Sequence, residues 1–390
     1  MELLSHFTDF LANIRLPDDL RDECVSSHVE LRAHLLADPD LAPIMVTTFL
    51  QGSYRRSTIT KPQNGSRPDV DVVAVTNVDP RQWSPAQVQE AFCEFLDKHE
   101  VYRRHYRRQG RSIGISKGRI DVDLVVTAAP SATLSAVLRS DAIASTYSVE
   151  AHSDWRLDPS WPSPERRTSR QAEAALRKAL EGSDWQGEPL LIPDRELGRW
   201  EQTDPISQIR WTHEKNSATN GHFVNVVRAV KWWWNRVSSD LTDRPKGFLI
   251  ERVVGIHCPD EITDVASGFT VSLEAIRDSY AQAAAAGETP FVPDIGLPDN
   301  DVFKRVSPSA FRAFHQRVVT GAAASRDALD HPDSRVSAKL WRDILGDDFP
   351  PPAGGGDGGG TSKLEPRAPR PTPRFVPPAH PSVPRKGEFA

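Results

Sequence analysis

The sequence contains few cysteines and no long hydrophobic run, and both absences restrict what kind of protein it can be. Its 390 residues include three cysteines, Cys24, Cys93 and Cys258, and none of them forms a C-x-x-C pair. This small, odd number argues against a disulfide framework or a zinc cluster, and it favours the reducing cytoplasm. No apolar stretch approaches the roughly 20 residues that cross a bilayer, so we expect no membrane span.

An excess of basic charge is also missing. The formal net charge is −5 at pH 7, so the chain has no overall positive field, and we do not expect stable DNA binding. Residues 1–10 lack the basic start and apolar run of a signal peptide. Hydrophobic residues make up 38 % of the sequence, which is enough for a core over most of its length.

Hydrophobic periodicity predicts the order of helices and strands. Apolar residues at helical spacing indicate helices over residues 1–38 and 84–99. Strand-like segments lie at 44–50, 70–76, 101–108, 111–116 and 119–127. Later helices are predicted at 204–218, 221–237, 247–257, 271–286, 307–328 and 335–345.

Two further segments differ from these regular elements. Weak periodicity over residues 130–190 predicts a loop-rich insertion with one helix near 167–181. After Pro350 the chain is rich in Pro and Gly and has too few large apolar residues to offset the entropy of ordering. We therefore predict an α/β (α+β) protein in three parts. They are a lobe with a mixed sheet and N-terminal helices (1–200), a helical lobe (201–350) and a disordered tail (351–390).

Two pairs of aspartates lie in apolar, strand-like surroundings. Asp69 and Asp71 flank Val70, and Asp121 and Asp123 repeat the same arrangement. Side chains alternate along a strand, so each pair points to one face, with Cβ atoms roughly 6–7 Å apart. Three carboxylates from neighbouring strands can hold two Mg²⁺ ions, or Mn²⁺, roughly 3.5–4 Å apart. The alternative interpretation is that these are solvated acids at strand ends.

A Gly-Ser pair precedes the first acidic strand. Gly52 lets backbone amides approach phosphate oxygens closely, and the hydroxyl of Ser53 can donate to the same oxygens. A helix that begins near Ser53 would add the positive end of its dipole. A Gly-Ser pair is common, but its position between a strand and an acid-bearing strand predicts a phosphate-binding turn.

The order of strand, Gly-Ser, Asp-x-Asp and a later Asp resembles the DNA polymerase β-like nucleotidyltransferase superfamily. Most closely it resembles the bacterial CD-NTases, relatives of cyclic GMP-AMP synthase and oligoadenylate synthase. The spacing from Gly-Ser to the first acid is longer than the superfamily's usual spacing. The likeness covers roughly residues 1–350, and its segments are Thr48–Tyr54, Asp69–Val73, Ile120–Val126, Lys215-Asn216, Val227–Trp233, Pro245–Phe248, Leu340-Trp341 and Gly346–Pro350.

The resemblance implies a polymerase β-like catalytic lobe and assigns its metal ligands. Asp69 and Asp71 would be the first two ligands and Asp123 the third. Asp121 shares a face with Asp123 and competes for that role. The family's third acid usually precedes an apolar run that ends the strand, as Leu124–Val126 does here, so we favour Asp123.

The resemblance also implies nucleotide contacts on the helical side. Lys231, together with Arg228, would contact the triphosphate. The alternative for Lys231 is a solvated helical lysine. Asn216 either contacts the base or lies on the surface of the lid, and both possibilities stay open.

The activity that the resemblance implies is synthesis of a cyclic di- or trinucleotide second messenger from nucleoside triphosphates, with release of pyrophosphate. In bacterial anti-phage signalling, this product would activate a separate effector. The enzyme and the effector would be connected only through the product. An E1/E2-like partner would conjugate the C-terminal tail; the alternative is that the tail is expendable and only keeps the protein soluble. Two alternatives remain: a toxin-like nucleotidyltransferase acting on RNA or protein, and an inactive nucleotide-binding scaffold.

Overall fold

A mixed sheet of seven strands carries both aspartate pairs in the computed structural model, which describes residues 3–63, 65–138, 188–241 and 243–352. The strand order is β1-β2-β5-β4-β3, and β6 pairs with both β5 and β7. Only the β2–β5 pair is parallel. The strands are β1 (Met45–Gln51), β2 (Asp69–Thr76), β3 (Tyr106–Arg108), β4 (Ile113–Lys117), β5 (Ile120–Ala128), β6 (Leu190–Asp194) and β7 (Arg199–Thr203).

The parallel pairing of β2 and β5 confirms that the two acid pairs lie on neighbouring strands. Asp69 is opposite Asp121, and Asp71 is opposite Asp123. Val70 and Val72 alternate with the acids and are fully buried on the other face. Because side chains alternate along both strands, all four carboxylates project from one face of the sheet.

Eleven helices occur within the described residues. The predicted helices are confirmed, except that the one near 167–181 lies outside the described residues. The helix predicted to begin at 271 begins at Val265, after Asp264 caps its N-terminus by accepting from Ser267 N at 2.8 Å. The helices are α1 (Leu4–Asn13), α2 (Asp18–Ala37), α3 (Gly52–Arg55), α4 (Pro85–Lys98), α5 (Ala132–Leu138), α6 (Pro205–Ala218), α7 (Phe223–Val237), α8 (Gly247–His257), α9 (Val265–Ala286), α10 (Pro308–Asp330) and α11 (Ser334–Leu345).

Two large hydrophobic cores hold these elements together. One lies between the sheet and the helices α2 and α4. The other is formed by α7 to α11, and α1 packs into it: the Phe7 ring contacts Trp341 and Phe349 at centroid distances of 4.9 and 5.2 Å. The N-terminal helix therefore belongs to the same core as the last helices of the described chain.

The three consecutive tryptophans of α7 pack in the helical core. Each of Trp232, Trp233 and Trp234 is at most 5 % exposed. Trp232 donates its indole N–H to Leu345 O, and Trp234 donates to Pro245 O at 2.8 Å. These bonds satisfy the polar atom of each buried ring and fix the rotation of α7 about its axis.

Several sequence-based boundaries need correction or stay open. Residues 101–105 form turns rather than the first part of a strand, and the β6–β7 hairpin was not predicted. Most of the predicted insertion, and the predicted disordered tail after Pro352, lie outside the described residues. The division into lobes at residue 200 stays a prediction. No described helix is both long and apolar enough to cross a membrane.

Candidate active site

Three carboxylates converge where β2 and β5 lie side by side. Asp69, Asp71 and Asp123 each offer one oxygen, and these oxygens lie within 4.8 Å of one another. Asp121 is engaged elsewhere: its Oδ1 accepts from Ser116 Oγ at 2.9 Å and lies 3.4 Å from Arg67 Nε. The geometry thus favours Asp123 over Asp121 as the third member of the cluster.

The cluster has an excess of negative charge. Burial and the neighbouring carboxylates of Asp69 and Asp123 raise the pKa of Asp71 to about 7, although Arg56 acts against this rise. Burial and Asp69 also raise the pKa of Asp123, while Arg107 and a 3.4 Å hydrogen bond from Gln109 lower it. Clustered carboxylate oxygens are the donor set that Mg²⁺ and similar hard cations prefer, so the residues fit a divalent metal.

Gly52 forms one wall of the acid cluster. It follows β1, whose last residue, Gln51, pairs with Asp71, and it begins the short helix α3. Its φ is +73°, and a Cβ atom at this position would lie 1.8 Å from Asp71 Oδ2. Only glycine allows both the left-handed backbone and this close approach. The next residue, Ser53, is therefore held directly beside the carboxylates.

Lys231 is buried on α7, close enough to the acids for its charge to act on Asp69. Its Nζ donates to Glu251 Oε1 at 2.9 Å, and its ammonium opposes the rise that burial causes in the pKa of Asp69. Gly247 lies next to the lysine, and a Cβ there would meet Nζ at an ordinary contact distance of 3.5 Å. Lys231 is therefore not a solvated lysine, whereas its contact with the triphosphate stays a prediction.

Three residues of this region were not identified from the sequence. Glu251 on α8 accepts hydrogen bonds from Arg56 Nε at 3.0 Å and from Thr58 Oγ1 at 2.6 Å, in addition to the bond from Lys231. Burial alone would raise its pKa, but the Arg56 and Lys231 cations lower the pKa of Glu251 to about 2. Glu251 is therefore charged at neutral pH.

Comparison with known proteins identifies the family. Residues 1–133 match the family model of the Second Messenger Oligonucleotide or Dinucleotide Synthetase domain. Over 384 residues the chain is 39 % identical to a probable cyclic AMP-AMP-GMP nucleotide synthase of Salmonella paratyphi B, covering 96 % of this chain and 100 % of that protein. The chain belongs to the CD-NTase family. It is also 37 % identical to a cyclic AMP-AMP-GMP synthase of Enterobacter hormaechei, with the same coverage.

Solved CD-NTases share the fold. The enzyme CdnC of E. coli MS115-1, solved with ATP, superimposes with a TM-score of 0.59 at 15 % identity, over 89 % of this chain and 98 % of that one. CdnG of Bradyrhizobium diazoefficiens, solved with GTP, gives 0.59 at 13 % identity, over 88 % and 96 %. The predicted polymerase β-like fold is confirmed. As a CD-NTase, the chain is a nucleotidyltransferase that makes a cyclic oligonucleotide second messenger from nucleoside triphosphates.

Two predicted nucleotide contacts of this CD-NTase lie apart from the acids. Arg228 is buried beside a cavity of about 450 Å³ that Arg15 and Lys61 also line, and none of the acids lines this cavity. Burial and Arg15 lower the pKa of Arg228 to about 9. Asn216 accepts from Val224 N at 3.0 Å through its side-chain oxygen, which caps the start of α7. Both nucleotide contacts stay predictions.

Proposed function

We propose that this CD-NTase joins two AMP units and one GMP unit into a cyclic trinucleotide. Support for this product comes from the two relatives described above. Both are named as synthases of cyclic AMP-AMP-GMP, and the match covers the whole length of each relative. The support for the chemistry is the cluster of Asp69, Asp71 and Asp123 beside Gly52-Ser53, which is the single observation that carries the proposal. A cyclic dinucleotide remains the other product of the predicted class.

We propose that the three aspartates hold two divalent cations, Mg²⁺ in the first place and Mn²⁺ as the alternative. Bound there, the two ions would lower the pKa of the attacking hydroxyl and neutralise charge on the triphosphate and on the departing pyrophosphate. The oxygen of a ribose 2′- or 3′-hydroxyl bonds to the α-phosphorus while the bond from that phosphorus to the pyrophosphate oxygen breaks. The hydroxyl proton passes to solvent. No nucleophile from the protein is required.

The donor triphosphate would lie between Gly52-Ser53 and Lys231. Gly52 has a left-handed backbone, and the partly exposed Ser53 that follows it can donate its hydroxyl to a phosphate oxygen. Lys231 offers an ammonium close to Asp69, where charge on the triphosphate would be greatest. Arg228 and Asn216 complete the set of expected nucleotide contacts. Asn216 would use its amide nitrogen, because its oxygen already caps α7.

The test is product analysis with the purified full chain. Incubation with ATP and GTP in Mg²⁺, followed by phosphatase treatment and mass spectrometry, should yield a phosphatase-resistant cyclic trinucleotide of two adenosine and one guanosine unit. The matched control is Asp69→Asn combined with Asp71→Asn, which keeps the side-chain size and removes the charge. Linear products alone, or no pyrophosphate release in either Mg²⁺ or Mn²⁺, would contradict the proposal.

The same experiment decides between the remaining alternatives. A toxin-like nucleotidyltransferase would transfer label from α-³²P-ATP to added RNA or protein and would form no cyclic product without an acceptor. An inactive scaffold would bind nucleotide without releasing pyrophosphate.

The proposed biological setting is bacterial anti-phage defence in the cytoplasm, with a separate effector that responds only to the product. This rests on the family. Phage should form fewer plaques on cells that express the wild-type chain together with its effector than on cells that express the Asp69→Asn variant with the same effector. Conjugation of the C-terminal tail by an E1/E2-like partner stays a prediction, because the tail lies outside the described residues.

A further inference from the structure

We propose that Glu251 is a positioning residue for the donor triphosphate: it holds Lys231 and the turn behind Ser53 in the places from which they bind phosphate. The inference rests on the proposed function. It goes further by giving this role to a residue on α8 that itself touches neither the acids nor the predicted substrate position.

Glu251 joins three donors that come from distant parts of the chain. Its Oε1 accepts from Thr58 Oγ1 at 2.6 Å and from Lys231 Nζ at 2.9 Å, and its Oε2 accepts from Arg56 Nε at 3.0 Å. Arg56 and Thr58 follow α3, whereas Lys231 lies on α7. The Glu251 side chain is 8 % exposed, so all three bonds are formed out of water, where they are strong.

The bond from Thr58 connects Glu251 with Ser53. Thr58 N donates to Ser53 O at 2.9 Å, and this bond closes the turn that α3 begins. The position of the Ser53 backbone thus depends on Thr58, and the position of the Thr58 side chain depends on Glu251. A carboxylate on α8 therefore sets both the lysine and the serine that we expect to contact the triphosphate.

Glu251 also keeps two cations in place beside the acids. Arg56 is near enough to Asp71, and Lys231 to Asp69, to oppose the rise in the pKa of each carboxyl. Within the described residues, both cations form their ion pairs with Glu251 and not with these aspartates. Without Glu251, the aspartates would be the nearest anions, and we expect Lys231 to turn towards Asp69 and away from the triphosphate.

A purely structural role predicts a different outcome. A buried ion pair often contributes little net stability compared with apolar side chains of the same size. If Glu251 only stabilised the fold, its loss would lower the amount of active enzyme, so kcat per total protein would fall while KM stayed constant. A residue that positions ground-state contacts instead raises KM and changes kcat less.

The experiment measures KM and kcat for ATP with Glu251→Gln in the full chain. We expect KM to rise about tenfold or more, which corresponds to about 1.4 kcal/mol, with a smaller change in kcat. The matched control is Glu274→Gln. Glu274 also accepts two bonds from one partner, Arg326 (2.9 and 2.6 Å), but it joins α9 to α10 away from the acids. Its KM should equal that of the wild type.

A second variant covers the case in which Glu251→Gln does not fold. Thr58→Val removes the 2.6 Å hydrogen bond to Glu251 and a longer one of 3.5 Å to Ser53 O, keeps both ion pairs, and should raise KM in the same direction by a smaller factor. In a Lys231→Met background, Glu251→Gln should raise KM by less than it does in the wild type, because the lysine that it positions is gone. An unchanged or lowered KM in Glu251→Gln, or in Thr58→Val if the former does not fold, would overturn the inference. A wild-type enzyme without activity would instead refute the proposed function.

Discussion

Replacing Gly52 by alanine would place a methyl group inside the acid cluster. The new Cβ would lie 1.8 Å from Asp71 Oδ2, whereas real Cβ atoms essentially never come closer than 3.0 Å to another atom. The Asp71 carboxylate would have to withdraw by about 1.2 Å, from 1.8 to at least 3.0 Å. Rotation of the carboxylate alone would not relieve the contact, because Asp71 Cγ and Cβ would also lie 2.7 and 3.3 Å from the new atom, and the Asp71 backbone is paired with Gln51 and Asp123.

The magnitude of the effect follows from this displacement. A shift of about 1 Å in a group that positions reactants can reduce the rate about 100-fold. The left-handed backbone at φ +73° adds roughly 1–2 kcal/mol of strain for any residue with a Cβ. We therefore expect kcat/KM to fall about 100-fold or more, with a decrease in melting temperature of only a few degrees.

The matched control is Gly65→Ala. Gly65 has the same φ of +73°, but a Cβ there would meet no atom within 4 Å. It should therefore lose the same stability by thermal melting and keep its rate in a coupled assay of pyrophosphate release. If Gly52→Ala retained wild-type activity, or if Gly65→Ala lost as much, the close approach of Gly52 to Asp71 would not be what the enzyme requires.

Three further predictions concern the charged groups around the cluster. Asp123→Asn should lower the rate of pyrophosphate release at least about 100-fold, whereas Asp121→Asn should keep most of it, because Asp123, unlike Asp121, belongs to the acid cluster that could hold a metal ion; equal losses would contradict this. Lys231→Met should raise KM for ATP about tenfold through loss of a charged phosphate contact, and initial-rate kinetics with an unchanged KM would refute that contact. The folded-state pKa of Glu251, about 2, lies below the ordinary 4.5, so its stabilisation is present above about pH 4.5 and is lost as the pH falls towards 2. Urea unfolding at pH 5 and pH 3 should therefore show that Glu251→Gln loses less stability than the wild type between these two values, by on the order of 2 kcal/mol because pH 3 still lies above the folded-state pKa, and parallel losses would exclude this role.

The sequence predicted the acid-bearing strands because their pattern is local. Alternation alone places Asp69 and Asp71 on one face, and the same argument holds for Asp121 and Asp123. It cannot choose between Asp121 and Asp123, since both project from the same strand to the same side. The structure distinguishes them because Ser116 and Arg67 engage Asp121. Neither partner can be assigned from spacing.

The Glu251 network could not be predicted because its members are far apart in sequence. The bond from Arg56 to Glu251 spans 195 residues. In the sequence, Glu251 lies beside Arg252 in a mostly apolar helix, which indicates nothing about its partners. Only the packing of α8 against α3 brings them together.

The β6–β7 hairpin was missed for a different reason. Pro193 lies within β6, and a proline in a strand-like segment argues against an assignment as strand. It is tolerated here because β6 pairs with β5 only at Leu191, beyond which it pairs only with β7. The sequence did contain a signal for this hairpin, namely the apolar residues from Leu190 to Ile192 followed by the turn at Gly198.

The packing of α1 has a consequence for the chain during its synthesis. Asn13 donates to Asp348 O across 335 residues, and Phe7 packs against Trp341. At roughly 5–20 residues per second, α1 emerges from the ribosome roughly 20–70 s before its packing partners do. During this interval the strands of the sheet and their acids emerge first. The core that buries α7, which carries Lys231, is completed only when the last helices have emerged. An unfinished chain thus contains all four aspartates of the sheet before the core that holds α7 and Lys231 is complete.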